Sequence, residues 1–128
     1  MINLNNDVNL DFQNSDPKKL GSILLKPFGE GSGMLGLPGD FTPVSRFVRA
    51  AAYSQAIGTK KTGYDSVLQA FHVLNNFDIP KGAIREKDPH GNTLNDFTQW
   101  TSANDLKSKT FYIRPHENRQ IHSLNCWI

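Results

Sequence analysis

Apolar positions follow two different periods along the chain. From Thr42 onward they recur at helical spacing, with Phe47, Val48, Ala51 and Ala52 on one stripe. Thr42 suits an N-cap, Pro43 the first helical position and Gly58 the residue just past the end. The pattern predicts a helix near 43–57. A second stripe, Val67, Leu68, Phe71 and Leu74, predicts a helix near 64–76. Asp65 or Ser66 is its candidate cap, Asn75-Asn76 weakens its end, and Pro80 is a stop signal. The short basic connection Thr59-Lys60-Lys61-Thr62-Gly63 points to an antiparallel helix pair.

After residue 95 the period changes to two, and β-formers gather in three runs. These predict strands near 96–103, 109–115 and 119–127, joined as an antiparallel meander. Residues 81–95, centred on Asp88-Pro89-His90-Gly91-Asn92, read as turns. Residues 1–22 read as an irregular lead-in, and Ile23-Leu24-Leu25 as a short buried strand ended by Pro27. Residues 29–42 form a Gly-rich loop, with five Gly and one Pro in eleven positions. The expected fold class is α+β, two helices followed by antiparallel strands. Two helices and one small sheet make a thin core, so the second face of the sheet needs a cover.

Composition narrows the function classes. The 128 residues carry 14 Lys and Arg against 12 Asp and Glu, a formal charge of +2. The Lys18-Lys19 and Lys60-Lys61 pairs are isolated, whereas a nucleic-acid surface needs a clustered basic face, so no nucleic-acid partner is expected. No run approaches the ~20 apolar residues of a membrane span, so no membrane partner is expected either. The first residues lack a basic n-region and an apolar segment, so no signal peptide is expected there; the compartment stays open. Cys126 is the single cysteine, which excludes an internal disulfide and a multi-cysteine zinc site.

The candidate chemistry is sparse. Gly31-Ser32-Gly33-Met34-Leu35-Gly36 matches G-x-G-x-x-G, but Leu37-Pro38-Gly39 follows where a dinucleotide site needs a helix. No cofactor is expected. His72, His90, His116 and His122 show no ligand spacing, so no metal is expected. Cys126 reads as a buried packing thiol. Arg46 stands out because it falls in the first turn of the 43–57 helix, where the helix dipole disfavours a cation. A carboxylate, a thiolate or a substrate has to compensate it. Arg49 reads as solvent-facing or structural.

The string from Gly31 to Ala50, with Leu37-Pro38-Gly39-Asp40-Phe41-Thr42-Pro43-Val44-Ser45-Arg46-Phe47-Val48-Arg49 at its centre, closely resembles a segment of the choloylglycine hydrolase family. Phe71 to Asn76, Thr98 to Ser102, and Tyr112 to Ile121 resemble later segments of the same family, in the same order. The family comprises bile salt hydrolases and penicillin V acylases. Its members are N-terminal-nucleophile hydrolases with an αββα sandwich. The resemblance implies a first-residue cysteine that attacks a linear amide, with its own α-amine as base. It implies no cofactor and no metal. Of the family's site residues only one maps onto this chain, the Arg after the Gly-rich loop, here Arg46. Its implied role is to sit beside the sulfur and favour the thiolate and the developing negative charge.

The resemblance further implies that residues 1–128 are one partial domain, the C-terminal portion of such a hydrolase. The expected partner is a small-molecule amide, such as penicillin V or a conjugated bile salt, once the N-terminal portion completes the site. By itself the chain is expected to be inactive. The competing expectation is a non-enzymatic remnant or interaction fragment. Arg46 is expected beside an open space, and one sheet face bearing Trp100 or Tyr112 is expected to be exposed and to favour self-association.

Overall fold

Both helical stripes and the three alternating runs reappear as elements in the computed structural model, which describes residues 2–58 and 62–126. The chain divides into two compact units, 1–56 and 57–128. The basic connection at 59–61 lies outside the described residues, as do residues 127 and 128.

The first unit carries a short helix α1 (Ile2–Asn5), a hairpin of β1 (Lys18–Leu20) and β2 (Ile23–Leu25), and helix α2 (Pro43–Ala56). A 3-10 turn at Ser32–Met34 interrupts the Gly-rich loop. The lead-in is therefore more ordered than its polar sequence suggested. It straps onto the loop through specific bonds. Asp11 N donates to Gly33 O at 2.9 Å, and Ser15 N donates to Ser32 Oγ at 2.8 Å. The Asn14 side-chain oxygen accepts from the Gly31 and Ser32 amides, and its amide nitrogen donates to Glu30. A Cβ on Gly33 would stand 1.9 Å from the Gln13 carbonyl oxygen, so only glycine lets the two backbones approach this closely.

The Ile23–Leu25 strand corrects the sequence reading. It pairs with β1 in the register Leu20↔Ile23, but Ile23, Leu24 and Leu25 are all exposed. A two-stranded ribbon has no second layer of its own, so its apolar side chains stay in solvent. In α2, Val48 is buried while Phe47 is exposed.

The second unit begins with helix α3 (Gly63–Leu74), which continues as a 3-10 turn at Asn75–Phe77. Its cap is Thr62, not Asp65 or Ser66. Thr62 Oγ1 accepts from Asp65 N at 3.0 Å and donates to Asp65 Oδ2 at 2.7 Å, a reciprocal capping arrangement. Gly63 is the first helical residue, and a Cβ there would meet the Asp105 side-chain oxygen Oδ2 at 2.6 Å.

Strands β3 (Ile84–Lys87) and β4 (Thr93–Asp96) then form an antiparallel hairpin inside the segment read as turns. The turn at its tip is the expected one. Asp88 Oδ1 accepts from the His90 and Asn92 amides, and this side-chain turn fixes the register on either side.

Strands β5 (Trp100–Asp105), β6 (Thr110–Pro115) and β7 (His122–Asn125) make the expected meander, in order β5-β6-β7. The inner face holds Thr101, Ala103, Thr110, Tyr112 and Arg114, with Thr101↔Arg114 and Ala103↔Tyr112 directly opposed. Val67 and Phe71 of α3 are the buried apolar residues of this unit. The outer face holds Trp100, Ile113, Phe111 and Leu124, of which Trp100 and Leu124 are exposed. Tyr112 belongs to the inner face, because side chains alternate along a strand. The fold is thus α+β with helices followed by antiparallel sheet, as the sequence predicted.

Candidate active site

Arg46 lies where its sequence position put it, in the first turn of α2, and its side chain is exposed. The local structure is built by the residues before it. Asp40 Oδ1 accepts from Thr42 N at 2.8 Å, and Asp40 Oδ2 accepts from Ser45 Oγ at 2.6 Å. Thr42 O accepts from the Arg46 amide at 3.0 Å, which is the first helical bond. The Asp40 carboxyl is lowered from 3.8 to about 2, first by the Ser45 hydroxyl and then by Thr42, both of which favour its charged form.

The carboxylate at the helix start is thus committed to the cap. Asp78 forms ion pairs with Arg114 and Arg119, and no described carboxylate pairs with Arg46. A guanidinium at a helix N-terminus adds its charge to the positive end of the helix dipole. Chemically, this arrangement favours an anion, whether a thiolate or an oxygen gaining negative charge.

Arg49 is the functional-region residue whose place the sequence reading left undecided. It is buried, 4% exposed, and not solvent-facing. Its Nη1 donates to Pro38 O and to Asp40 O, each at 2.7 Å. Helical spacing contained the signal. Arg49 is four residues beyond the buried Ser45, hence about 40° away on the same face, while Arg46 is about 100° from Ser45. The missed inference was that a charged residue can share the buried face when carbonyls are waiting for it.

The remaining candidates are dispersed. His72, His90 and His122 are exposed; His122 contacts the Asn118 amide at 3.0 Å. His116 stands edge-on to the Phe97 ring at 4.9 Å. Cys126 is exposed, which corrects the buried reading, because it follows the end of the edge strand β7. Among the described residues no group of three or more His, Cys, Asp or Glu could hold a metal ion. No helix among them is long and apolar enough to cross a membrane.

The second unit holds a polar cluster that local periodicity did not reveal. Arg114 is buried on β6 and donates to Asn75 Oδ1 at 2.6 Å, to Asp78 Oδ2 at 3.3 Å and to Thr101 Oγ1 at 3.4 Å. It also stands over the Phe71 ring, 5.6 Å from the centroid. Arg119, largely exposed, reaches the same Asp78 oxygen at 3.0 Å.

Comparison with known proteins supplies what this geometry lacks. Residues 1–127 match the family model described as linear amide C–N hydrolases, choloylglycine hydrolase family. A bile salt hydrolase/transferase of Clostridium perfringens is 36% identical over 125 residues, covering 98% of this chain and 37% of that protein. One from Lactiplantibacillus plantarum is 35% identical over 127 residues, again 37% of its length. A crystal structure of a conjugated bile acid hydrolase from Clostridium perfringens superposes with a TM-score of 0.78 at 32% identity. It is matched over 97% of this chain and 36% of its own. The chain therefore spans little more than a third of the length of these relatives.

Proposed function

Because the chain belongs to the choloylglycine hydrolase family, we propose that it serves a hydrolase of linear, non-peptide amide C–N bonds, as the C-terminal portion of its domain. Arg46 is its contribution to the reaction. The single observation that supports this role is the exposed guanidinium at the start of α2, held by a cap whose own carboxylate is already engaged. The nucleophile, by the same reading, is a cysteine supplied by polypeptide outside these 128 residues. Cys126 is no substitute, since the internal-base chemistry of this class needs the thiol and the free α-amine on one residue.

The sulfur attacks the amide carbonyl, and Arg46 stabilises first the thiolate and then the negative oxygen of the tetrahedral intermediate. The amine leaves with a proton from the α-ammonium, and water releases the acyl group from the thioester. Conjugated bile salts and penicillin V are the candidate substrates.

The outer face of β5-β6-β7, with Trp100 and Leu124 exposed, is on this reading covered by a second sheet of the complete domain. In the isolated chain it drives self-association, which sedimentation at rising concentration would detect.

The test is complementation. This chain, co-expressed with the part of the Clostridium perfringens relative that it does not match, is expected to cleave a conjugated bile salt or penicillin V. Arg46→Ala should abolish most of that turnover. Cleavage by this chain alone, or complementation indifferent to Arg46→Ala, would overturn the proposal. A folded chain that never complements would favour the competing reading, a non-enzymatic interaction fragment.

A further inference from the structure

We propose that Arg49 is the positioning residue for Arg46, acting through the Leu37–Thr42 segment; the functional weight of this inference rests on the reading of Arg46 above. The two arginines sit three residues apart on α2 yet do opposite things. Arg46 projects into solvent, whereas Arg49 is 4% exposed. A buried guanidinium is costly unless its donors are matched with acceptors. Here one terminal nitrogen sends its two hydrogens to two carbonyls, Pro38 O and Asp40 O, both at 2.7 Å. Bonds from a charged donor at this length are among the stronger ones in proteins. They lock the backbone on both sides of Gly39, in a loop that five glycines would otherwise leave loose.

From there the connection is continuous. The same Asp40 whose carbonyl Arg49 holds turns its carboxylate toward Thr42 N and Ser45 Oγ. Thr42 in turn accepts the Arg46 amide at 3.0 Å. Arg49 thus sets the Asp40 cap, the cap sets the first turn of α2, and that turn carries Arg46. The two bonds from Nη1 to the Pro38 and Asp40 carbonyls tie Arg49 to the backbone ahead of α2, which gives it an orienting role. A plain core-filling role predicts something different, a uniform loss of stability with no preference for the first turn.

Amide hydrogen exchange on the full 128-residue chain separates the two. The readout is the protection of the Arg46 amide relative to that of Ala52, six residues further into α2. Arg49→Met and Arg49→Gln should lower this ratio by about tenfold, as expected for lost charge-assisted bonds. Arg49→Lys, which returns a charged donor on a shorter stem, should recover part of it. Val48→Ala, a buried apolar truncation on the same helix, should lower both amides together and leave the ratio unchanged. If the methionine variant does not fold, the glutamine and lysine variants decide alone. An unchanged ratio in the neutral variants, or a lysine variant no better than glutamine, overturns the proposal. None of these readouts involves turnover. Indifference of amide hydrolysis to Arg46→Ala would therefore sink the functional reading alone and leave the clamp standing.

Discussion

Replacing Arg114 by methionine is the sharpest test of how the second unit holds together. Methionine keeps much of the stem packing over Phe71 but removes every donor. Three bonds are lost, at 2.6, 3.3 and 3.4 Å, together with the cation–π contact to the Phe71 ring. A bond involving a charged group contributes about 1.5–3 kcal/mol, and the two longer ones belong at the low end. Breaking a fully buried ion pair costs about 3–5 kcal/mol, but here Asp78 keeps 22% exposure and retains Arg119. The expected destabilisation is therefore about 2–4 kcal/mol.

The same oxygen of Asp78 provides the control. Arg119 is 69% exposed, so Arg119→Met should cost less than about 0.5 kcal/mol despite its shorter 3.0 Å contact. Distance alone ranks the two pairs the wrong way round; burial decides. Urea denaturation followed by tryptophan fluorescence suits the measurement, because both tryptophans, Trp100 and Trp127, fall within 57–128. With a slope of about 1–3 kcal/mol per molar urea, Arg114→Met should lower the midpoint by about 1–2 M. A loss under about 1 kcal/mol, or equal losses for the two arginines, would refute the reasoning.

Arg46→Ala should change the stability of the chain by no more than about 0.5 kcal/mol, since the side chain is exposed and pairs with no described carboxylate; calorimetry checks this. Gly33→Ala should destabilise the first unit by about 1–3 kcal/mol or more, because the new Cβ meets the backbone oxygen of Gln13; exchange of the Asp11 and Ser15 amides should rise with it. Asp40 has a folded pKa of about 2 against an ordinary 3.8, so its contribution is present in full above pH ~4 and disappears as pH falls toward 2. Acid titration of the Arg46 amide signal should show that loss in the wild type. Asp40→Asn should flatten it.

The sequence alone determined the parts that depend on near neighbours. Helical stripes placed α2 and α3 to within a few residues, because an amphipathic helix repeats its apolar positions every three or four residues whatever lies opposite. Alternation placed β5, β6 and β7 for the same reason, and the Leu37–Arg49 string carried the family. Arg46 stood out as a candidate because a cation in a helix's first turn is locally anomalous, and its place in that turn is as the spacing predicted.

Tertiary structure decided whatever depends on residues brought together from a distance. Arg114 meets Asp78 across 36 positions and Asn75 across 39, and no local pattern encodes that encounter. The β3–β4 hairpin was hidden because its residues are mostly polar and exposed, leaving no apolar alternation to read. Ile23–Leu25 misled in the other direction. Its composition says buried, yet burial belongs to the layer packed against a strand and not to the strand itself. Arg49 shows the same division at the site. The sequence left it as solvent-facing or structural, and the fold decided the matter by bringing the carbonyls of Pro38 and Asp40 to its guanidinium, which makes a buried position tenable for a charge.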